Sequence, residues 1–275
     1  MASIFVKLVG SYLNILSYLS KNYAAEKALM LFSKPRKGQI SKLQAVFLNT
    51  SIKETLKYNS HGIMTYRWIG TKQTILLVHG WESNSGRWQS LISHLKGQEL
   101  NIIAFDAPAH GHSGSEIFNA ILYSEFINVV AQKFQPDIII GHSVGGMSTV
   151  FFQNKYQLKS IKKIVLLGVP SNFIDVLKRY TDMLGYNKRI INQLNAILLE
   201  RFGAPPESFS TARYIETINS EGLIIHDEND KIIPFEDALR IKNNFKNSKL
   251  INTKGLGHSL NHKSINSQIL EFIDN

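Results

Sequence analysis

The apolar run Ile138-Ile139-Ile140 is followed at once by Gly141-His142-Ser143-Val144-Gly145-Gly146 and then by a helix-compatible stretch, Met147 to Gln153. Gly-x-Ser-x-Gly in a strand-to-helix turn has a physical purpose. The turn holds the serine in a strained backbone conformation with its hydroxyl clear of the sheet, and the flanking glycines let strand and helix approach closely. It also points the first amides of the helix toward the serine, so the Val144 N–H can stabilise an oxyanion. A serine hydroxyl is a weak nucleophile at its own pKa, so this chemistry needs a base and an acid that orients the base. The chain has no cysteine, which leaves Ser143 as the residue in this turn able to attack a carbonyl.

In an open parallel sheet the working residues lie just past the carboxyl ends of strands. Past the run Leu223–Ile225 comes His226-Asp227-Glu228-Asn229-Asp230-Lys231-Ile232-Ile233-Pro234, and past a last strand expected at Lys249–Asn252 comes Gly255-Leu256-Gly257-His258-Ser259. The chain order is Ser143, Asp230, His258, the order stated for hydrolases with a nucleophile elbow. Thr74–Val78 leads into His79-Gly80-Trp81, where the Trp81 amide can point at the same oxygen as that of Val144. Ile102–Phe105 leads into Asp106-Ala107-Pro108-Ala109-His110-Gly111-His112-Ser113.

These runs, with Ile138–Ile140 and Ile164–Leu167, have the continuous apolar character of strands buried on both faces, and the intervals between them leave room for crossover helices. Glu54–Tyr58 and Ile63–Trp68 alternate and read as a hairpin around Asn59-Ser60-His61-Gly62. The expectation is an α/β protein with a mostly parallel sheet and helices on both faces. About 55 residues between Leu167 and Leu223 exceed what a crossover needs and carry helical periodicity over Phe173–Leu184 and Lys188–Phe202. They read as a helical cap inserted at about 171–215, within a catalytic domain of residues 51–275 that follows a helical extension of residues 1–50.

Together these stretches resemble the α/β-hydrolase family, over roughly residues 54–275. The resemblance rests on His79-Gly80-Trp81, Asp106 to Ser113, Gly141-His142-Ser143-Val144-Gly145, Asp230 with Ile233-Pro234, and Gly257-His258. It is nearest to the serine-nucleophile esterase and lipase-like or serine-aminopeptidase-like branch with a helical cap. The resemblance implies Ser143 as nucleophile, His258 as general base and then acid, Asp230 as the group orienting His258, and the amides of Trp81 and Val144 as the oxyanion hole. One departure is Ala109, which occupies the first glycine position of Asp-x-x-Gly-His-Gly-x-Ser. Asp227 and Glu228 compete for the role of acid, and Asp175, after Ile164–Leu167, holds the other position where such folds place it. Asp230 is preferred because it stands three residues before Ile233-Pro234. Asp106 reads as a turn-stabilising carboxylate. The histidines near strand ends show no metal-ligand spacing, and neither metal nor organic cofactor is expected.

The implied function is cleavage of a carboxylic ester, thioester or amide through an acyl-enzyme, on a small-molecule substrate with an acyl group. A small-peptide aminopeptidase and a non-catalytic ligand-binding protein are the alternatives. Charge is uneven: of a net +10, residues 1–60 hold nine basic against two acidic side chains, and the rest is nearly balanced. Nucleic acid is not an expected partner, because no aromatic pattern accompanies the basic residues of Lys34-Pro35-Arg36-Lys37-Gly38, which read as a solvated loop. Residues 3–21 form an amphipathic helix, with Ile4, Phe5, Leu8, Val9, Tyr12, Leu13, Leu16 and Leu19 opposite Ser3, Lys7, Gly10, Asn14, Ser17 and Lys21. Packing on its own domain is the first reading of this helix; attachment to a membrane surface and a dimer contact are the others. It is too interrupted by polar residues for a membrane span or a signal peptide, so a cytoplasmic location is expected.

Overall fold

The computed structural model describes residues 4–275. Helices α1 (Ile4–Leu19), α2 (Lys21–Ser33) and α3 (Lys42–Leu48) precede a hairpin of β1 (Ile52–Tyr58) and β2 (His61–Trp68). There follow β3 (Thr74–Val78), α4 (Gln89–Leu95), β4 (Asn101–Phe105), α5 (Ala120–Phe134), β5 (Ile138–His142), α6 (Val144–Tyr156) and β6 (Lys163–Leu167). The chain continues through α7 (Phe173–Leu184), α8 (Lys188–Phe202), α9 (Thr211–Tyr214), β7 (Glu221–Asp227), α10 (Phe235–Asn244), β8 (Ser248–Thr253) and α11 (Lys263–Asp274). It divides into two compact units, Pro35–Ser171 with Thr211–Asn275, and the described part of Met1–Lys34 with Asn172–Ser210.

The larger unit holds an eight-stranded sheet in the order β1-β2-β4-β3-β5-β6-β7-β8. β1 and β2 pair antiparallel, as do β2 and β4, and every later pair is parallel. The hairpin turn is tighter than the sequence suggests: Tyr58 pairs with His61, and Asn59 takes a positive φ of 51°, as a two-residue connection requires. β3, β4 and β5 are built from Ile, Leu, Val and Phe buried on both faces, among them Ile75, Leu77, Ile102 and Ile140 of the main core. The strand order reverses at β3, so the ends of β3 and β5 open side by side, at the kind of switch point where open sheets bind ligands.

In the smaller unit α1, α2, α7 and α8 share a core of Leu13, Ala24, Ala25, Ala28, Leu177, Ile190, Leu194 and Ile197. The alanines are the closely packed face of α2, and Tyr180 donates a hydrogen bond of 2.7 Å to the Ala28 carbonyl. The orientation of α1 departs from the one its periodicity implies. Gly10 and Ser17, expected on the polar side, are buried, while Ile4, Phe5, Leu8, Tyr12 and Leu19 are exposed; Ser3 lies outside the described residues. The reason is the α7–α8 turn. A Cβ on Gly10 would come within 1.7 Å of the Leu184 carbonyl oxygen, so only glycine permits this approach. Asn14 donates to the Gly185 carbonyl at 2.8 Å and accepts from the Asn187 amide at 2.8 Å, and Ser17 Oγ accepts from Asn187 Nδ2 at 3.0 Å. The polar residues of α1 satisfy backbone groups left over where α7 ends and α8 begins.

The turn after β4 accommodates Ala109 by giving it φ of 61°. Its amide donates to Gly114 O at 3.0 Å, and the Gly111 amide donates to Gly38 O at 3.0 Å, so the backbone of the basic loop is tied down although the Arg36 and Lys37 side chains are exposed. A left-handed alanine is strained by about 1–2 kcal/mol. Relief of that strain exceeds the entropy that a glycine adds to the unfolded chain, so Ala109→Gly should stabilise the protein by about 0.5 kcal/mol, and β-branched Ala109→Val should cost about 2 kcal/mol or more. Urea denaturation of the two variants checks both signs.

Candidate active site

Ser143 is the residue between β5 and α6, with φ 53° and ψ −129°. Such a conformation persists only where its surroundings over-determine it. Here the Ser143 amide donates to Leu167 O on β6 at 2.8 Å, and the Ser143 carbonyl accepts from the amides of Gly146 and Met147 at 3.0 and 3.2 Å. A Cβ on Gly145 would lie 2.3 Å from His79 O and 2.6 Å from Val78 O, so the first turn of α6 rests on the backbone of β3. The same closeness brings Gly80 beside the serine: a Cβ there would be 3.1 Å from Ser143 Cβ.

His258, in the loop after β8, bridges the other two predicted residues. Ser143 Oγ lies 3.0 Å from His258 Nε2, and His258 Nδ1 lies 2.7 Å from Asp230 Oδ2. With the ring proton on Nδ1 donated to the carboxylate, Nε2 is left to accept the serine hydroxyl. The Asp230 side chain is 1% exposed and that of His258 20%. Burial opposes the charge on Asp230. Hydrogen bonds from His226, His258 and the amides of Ile233 and Ile232 outweigh it and hold the carboxyl well below its ordinary range. The serine is therefore hydrogen-bonded to a base whose orientation is fixed by an ionised acid.

Of the two amides expected to face an oxyanion, that of Val144 belongs to the first residue of α6 and has no acceptor within the helix. The Trp81 amide has no hydrogen-bond acceptor among the described residues. The Trp81 ring packs edge-on against His110 and Phe118, at centroid distances of 5.3 and 5.1 Å, which fixes the backbone that follows Gly80.

The competing acids have other partners. Asp227 accepts from the Asn229 amide, Thr253 Oγ1 and the Leu256 amide, at 3.0, 2.8 and 2.9 Å, so it braces the loop that leads to His258. Glu228 accepts from Asn252 and pairs with Lys254 at 3.1 Å. Asp175 lies in the first turn of α7 and accepts from Asn172 Nδ2 at 3.2 Å. Asp106 is buried and accepts from the amide and hydroxyl of Ser85, from Tyr66 OH and from the His112 amide, which is the work of a turn-holding carboxylate.

Three contributors to the site were given no role in it by the sequence. Arg87 donates through Nη2 to Ser259 O at 2.9 Å, His142 donates through Nε2 to His258 O at 2.9 Å, and His226 donates to Ile233 O at 2.9 Å beside Asp230. The first two tether the loop that carries His258. Burial draws the Arg87 guanidinium down to about 10, which leaves it charged at neutral pH. Arg87 is distant in sequence from the loop it ties and belongs to no pattern; the signal for His142 and His226 was their position at strand ends, His142 within the elbow motif.

The sequence model of the family described as alpha/beta hydrolase fold matches residues 73–185. A bifunctional esterase/perhydrolase of Acinetobacter calcoaceticus is 23% identical over 72% of this chain and 91% of its own length. A pimeloyl-[acyl-carrier protein] methyl ester esterase of Nitrosospira multiformis is 22% identical over 69% of this chain and 89% of its own. Among solved structures, a bromoperoxidase of Bacillus anthracis superposes with a TM-score of 0.64 at 18% identity, covering 82% of this chain and 100% of the other. An esterase of Exiguobacterium antarcticum does so with a TM-score of 0.62 at 17% identity over the same shares.

The remaining histidines of the site are held neutral. His79 accepts the Ala107 amide on Nε2 and donates from Nδ1 to Gly80 O, and His110 accepts the Glu82 amide on Nε2 and donates from Nδ1 to Pro108 O. Burial is the main cause that pushes His79, His110 and His142 below the usual imidazole value. The unfolded chain takes up these protons near pH 6.5, whereas the folded chain takes them up only at lower pH. In that window the unfolded state binds more protons, so stability rises with pH. It should be fullest above about pH 6.5 and decline as the pH falls below that value. Asp230, depressed below the carboxylate range, contributes nothing to the slope there. Urea midpoints measured from pH 7.5 to 5.5 should drop only below pH 6.5; a flat profile contradicts the neutral assignments.

Proposed function

Since this chain has the α/β-hydrolase fold, we propose that it is a serine hydrolase that cleaves carboxylic esters. The observation that carries the reading is the bridge from Ser143 Oγ through His258 to Asp230, at 3.0 and 2.7 Å. The esterase names of the two curated relatives favour an ester over an amide.

In this mechanism Ser143 Oγ attacks the carbonyl carbon as its proton passes to His258 Nε2. The carbonyl oxygen becomes an oxyanion that accepts from the Val144 and Trp81 amides, and Asp230 stabilises the imidazolium while its own proton balance is unchanged. His258 returns the proton to the departing alkoxide, which leaves as the alcohol and leaves the acyl group on Ser143. Water then gives a proton to Nε2 as its oxygen attacks the acyl carbon, and collapse releases the carboxylic acid and restores the serine hydroxyl. The substrate is a small molecule with an acyl group, and the residues named need no cofactor for these steps.

Hydrolysis of p-nitrophenyl esters of short and medium acyl chains tests this. Ser143→Ala and His258→Ala should each lower kcat by about 10³-fold or more, and Asp230→Asn by about 10³–10⁴-fold, since the amide favours the wrong tautomer of His258. Glu228→Gln should stay within about twofold, because its carboxylate serves Lys254 and Asn252 instead. Activity that survives Ser143→Ala would refute the proposal.

A further inference from the structure

The outward face of α1 carries exposed apolar side chains from its first turn to its last, with Ser11 the polar residue among them on the Tyr18 side. Ile4, Leu8, Tyr12, Ile15 and Leu19 recur at spacings that place them on one stripe, with Phe5 and Tyr18 at its borders. All seven side chains are between 62 and 85% exposed. Scattered exposed hydrophobics are ordinary, but a continuous stripe of this size marks an interaction surface. Its direction is built in, because the close approach of Gly10 to Leu184 and the hydrogen bonds of Asn14 and Ser17 lock the opposite face of the helix onto the α7–α8 turn.

The occupant follows from charge. Residues 4–25 contain no Asp or Glu. Lys7 is exposed on the same border of the stripe as Tyr18, about three turns away along the helix, and the Arg189 guanidinium stands 5.1 Å over the Tyr18 ring. Lys21 is exposed just past the end of the helix. In a two-fold contact the same patch meets itself, so a second copy of α1 would bring further cations and no carboxylate from residues 4–25 to offset them. An anionic lipid surface offers the complement: hydrocarbon for the stripe, phosphate for the cations, and an interfacial layer that suits tyrosine. No helix among the described residues is long and apolar enough to cross a membrane, so the contact would be with one leaflet. We propose that α1 is an in-plane anchor that attaches this protein to anionic membrane surfaces through the Ile4-Leu8-Tyr12-Ile15-Leu19 stripe. The proposal is independent of the esterase reading.

The test is co-sedimentation of the full-length chain with vesicles of phosphatidylcholine alone or mixed with phosphatidylglycerol. Binding should be clear on the mixed vesicles, weaker on the neutral ones, and reduced by raised salt. Leu8→Glu/Ile15→Glu should lower the partition coefficient at least roughly tenfold, as each exchanges an inserted apolar side chain for a charge, with the circular dichroism spectrum unchanged. Lys7→Glu, which leaves the stripe intact, should weaken binding to the mixed vesicles alone. Absence of binding to both vesicle types, or binding that ignores Leu8→Glu/Ile15→Glu, would overturn the proposal. So would a dimer in light scattering that this double variant dissolves, which would assign the stripe to a second copy of the chain.

Discussion

The backbone of Ser143 is the constraint around which the carboxyl edge of the sheet is arranged. A φ of 53° with ψ of −129° costs an L-residue on the order of 1–3 kcal/mol, and the fold recovers it through three adjacent strands. β5 delivers the serine, β6 accepts its amide at Leu167 O, and β3 supplies the carbonyls against which Gly145 packs. Because β3 and β5 are neighbours, the position of the serine and that of the Gly80-Trp81 backbone are set by a single register, Val78 opposite Gly141. A shift at any of the three strands would move the hydroxyl relative to both the amides and the base.

The loops that bring His258 to this serine are held by polar groups with divided duties. Asp230 takes the imidazole and the two isoleucine amides on its two oxygens; Asp227, three residues earlier, takes the amide of Leu256 and so sets where the His258 loop starts. His142 and Arg87 fix the carbonyls of His258 and Ser259 from the other side. Each buried carboxylate thus has its own donors, which is what permits several ionised groups at one sheet edge without mutual interference. Asp106 follows the same rule one strand away, through Ser85, Tyr66 and His112.

The parts of this arrangement readable from sequence are those in which one residue type at one spacing has few structural meanings. Continuous apolar runs gave strands within a residue or two of their ends, as at Leu223–Ile225 against the observed Glu221–Asp227. The elbow, Asp230 and His258 were found at strand exits because parallel topology allows working residues few other places. Periodicity was less informative about α1, since it ranks the faces of a helix by polarity without saying what the neighbouring element needs. The α7–α8 turn needed small and hydrogen-bonding residues, and Gly10, Asn14 and Ser17 met that need at the expense of exposing the apolar face. Arg87 was hidden for a related reason: a tether to a backbone carbonyl leaves no residue pattern at the tethered end.

The relation between Ser143 and its base can be read directly in a covalent trap. Intact-mass spectrometry and peptide mapping after brief exposure to a fluorophosphonate should find one phosphonyl group per chain, on Ser143, because only a hydroxyl hydrogen-bonded to a positioned imidazole displaces fluoride at neutral pH at a useful rate. No adduct, or an adduct on another residue while Ser143 stays unmodified, would contradict the assignment of Ser143 as the activated nucleophile.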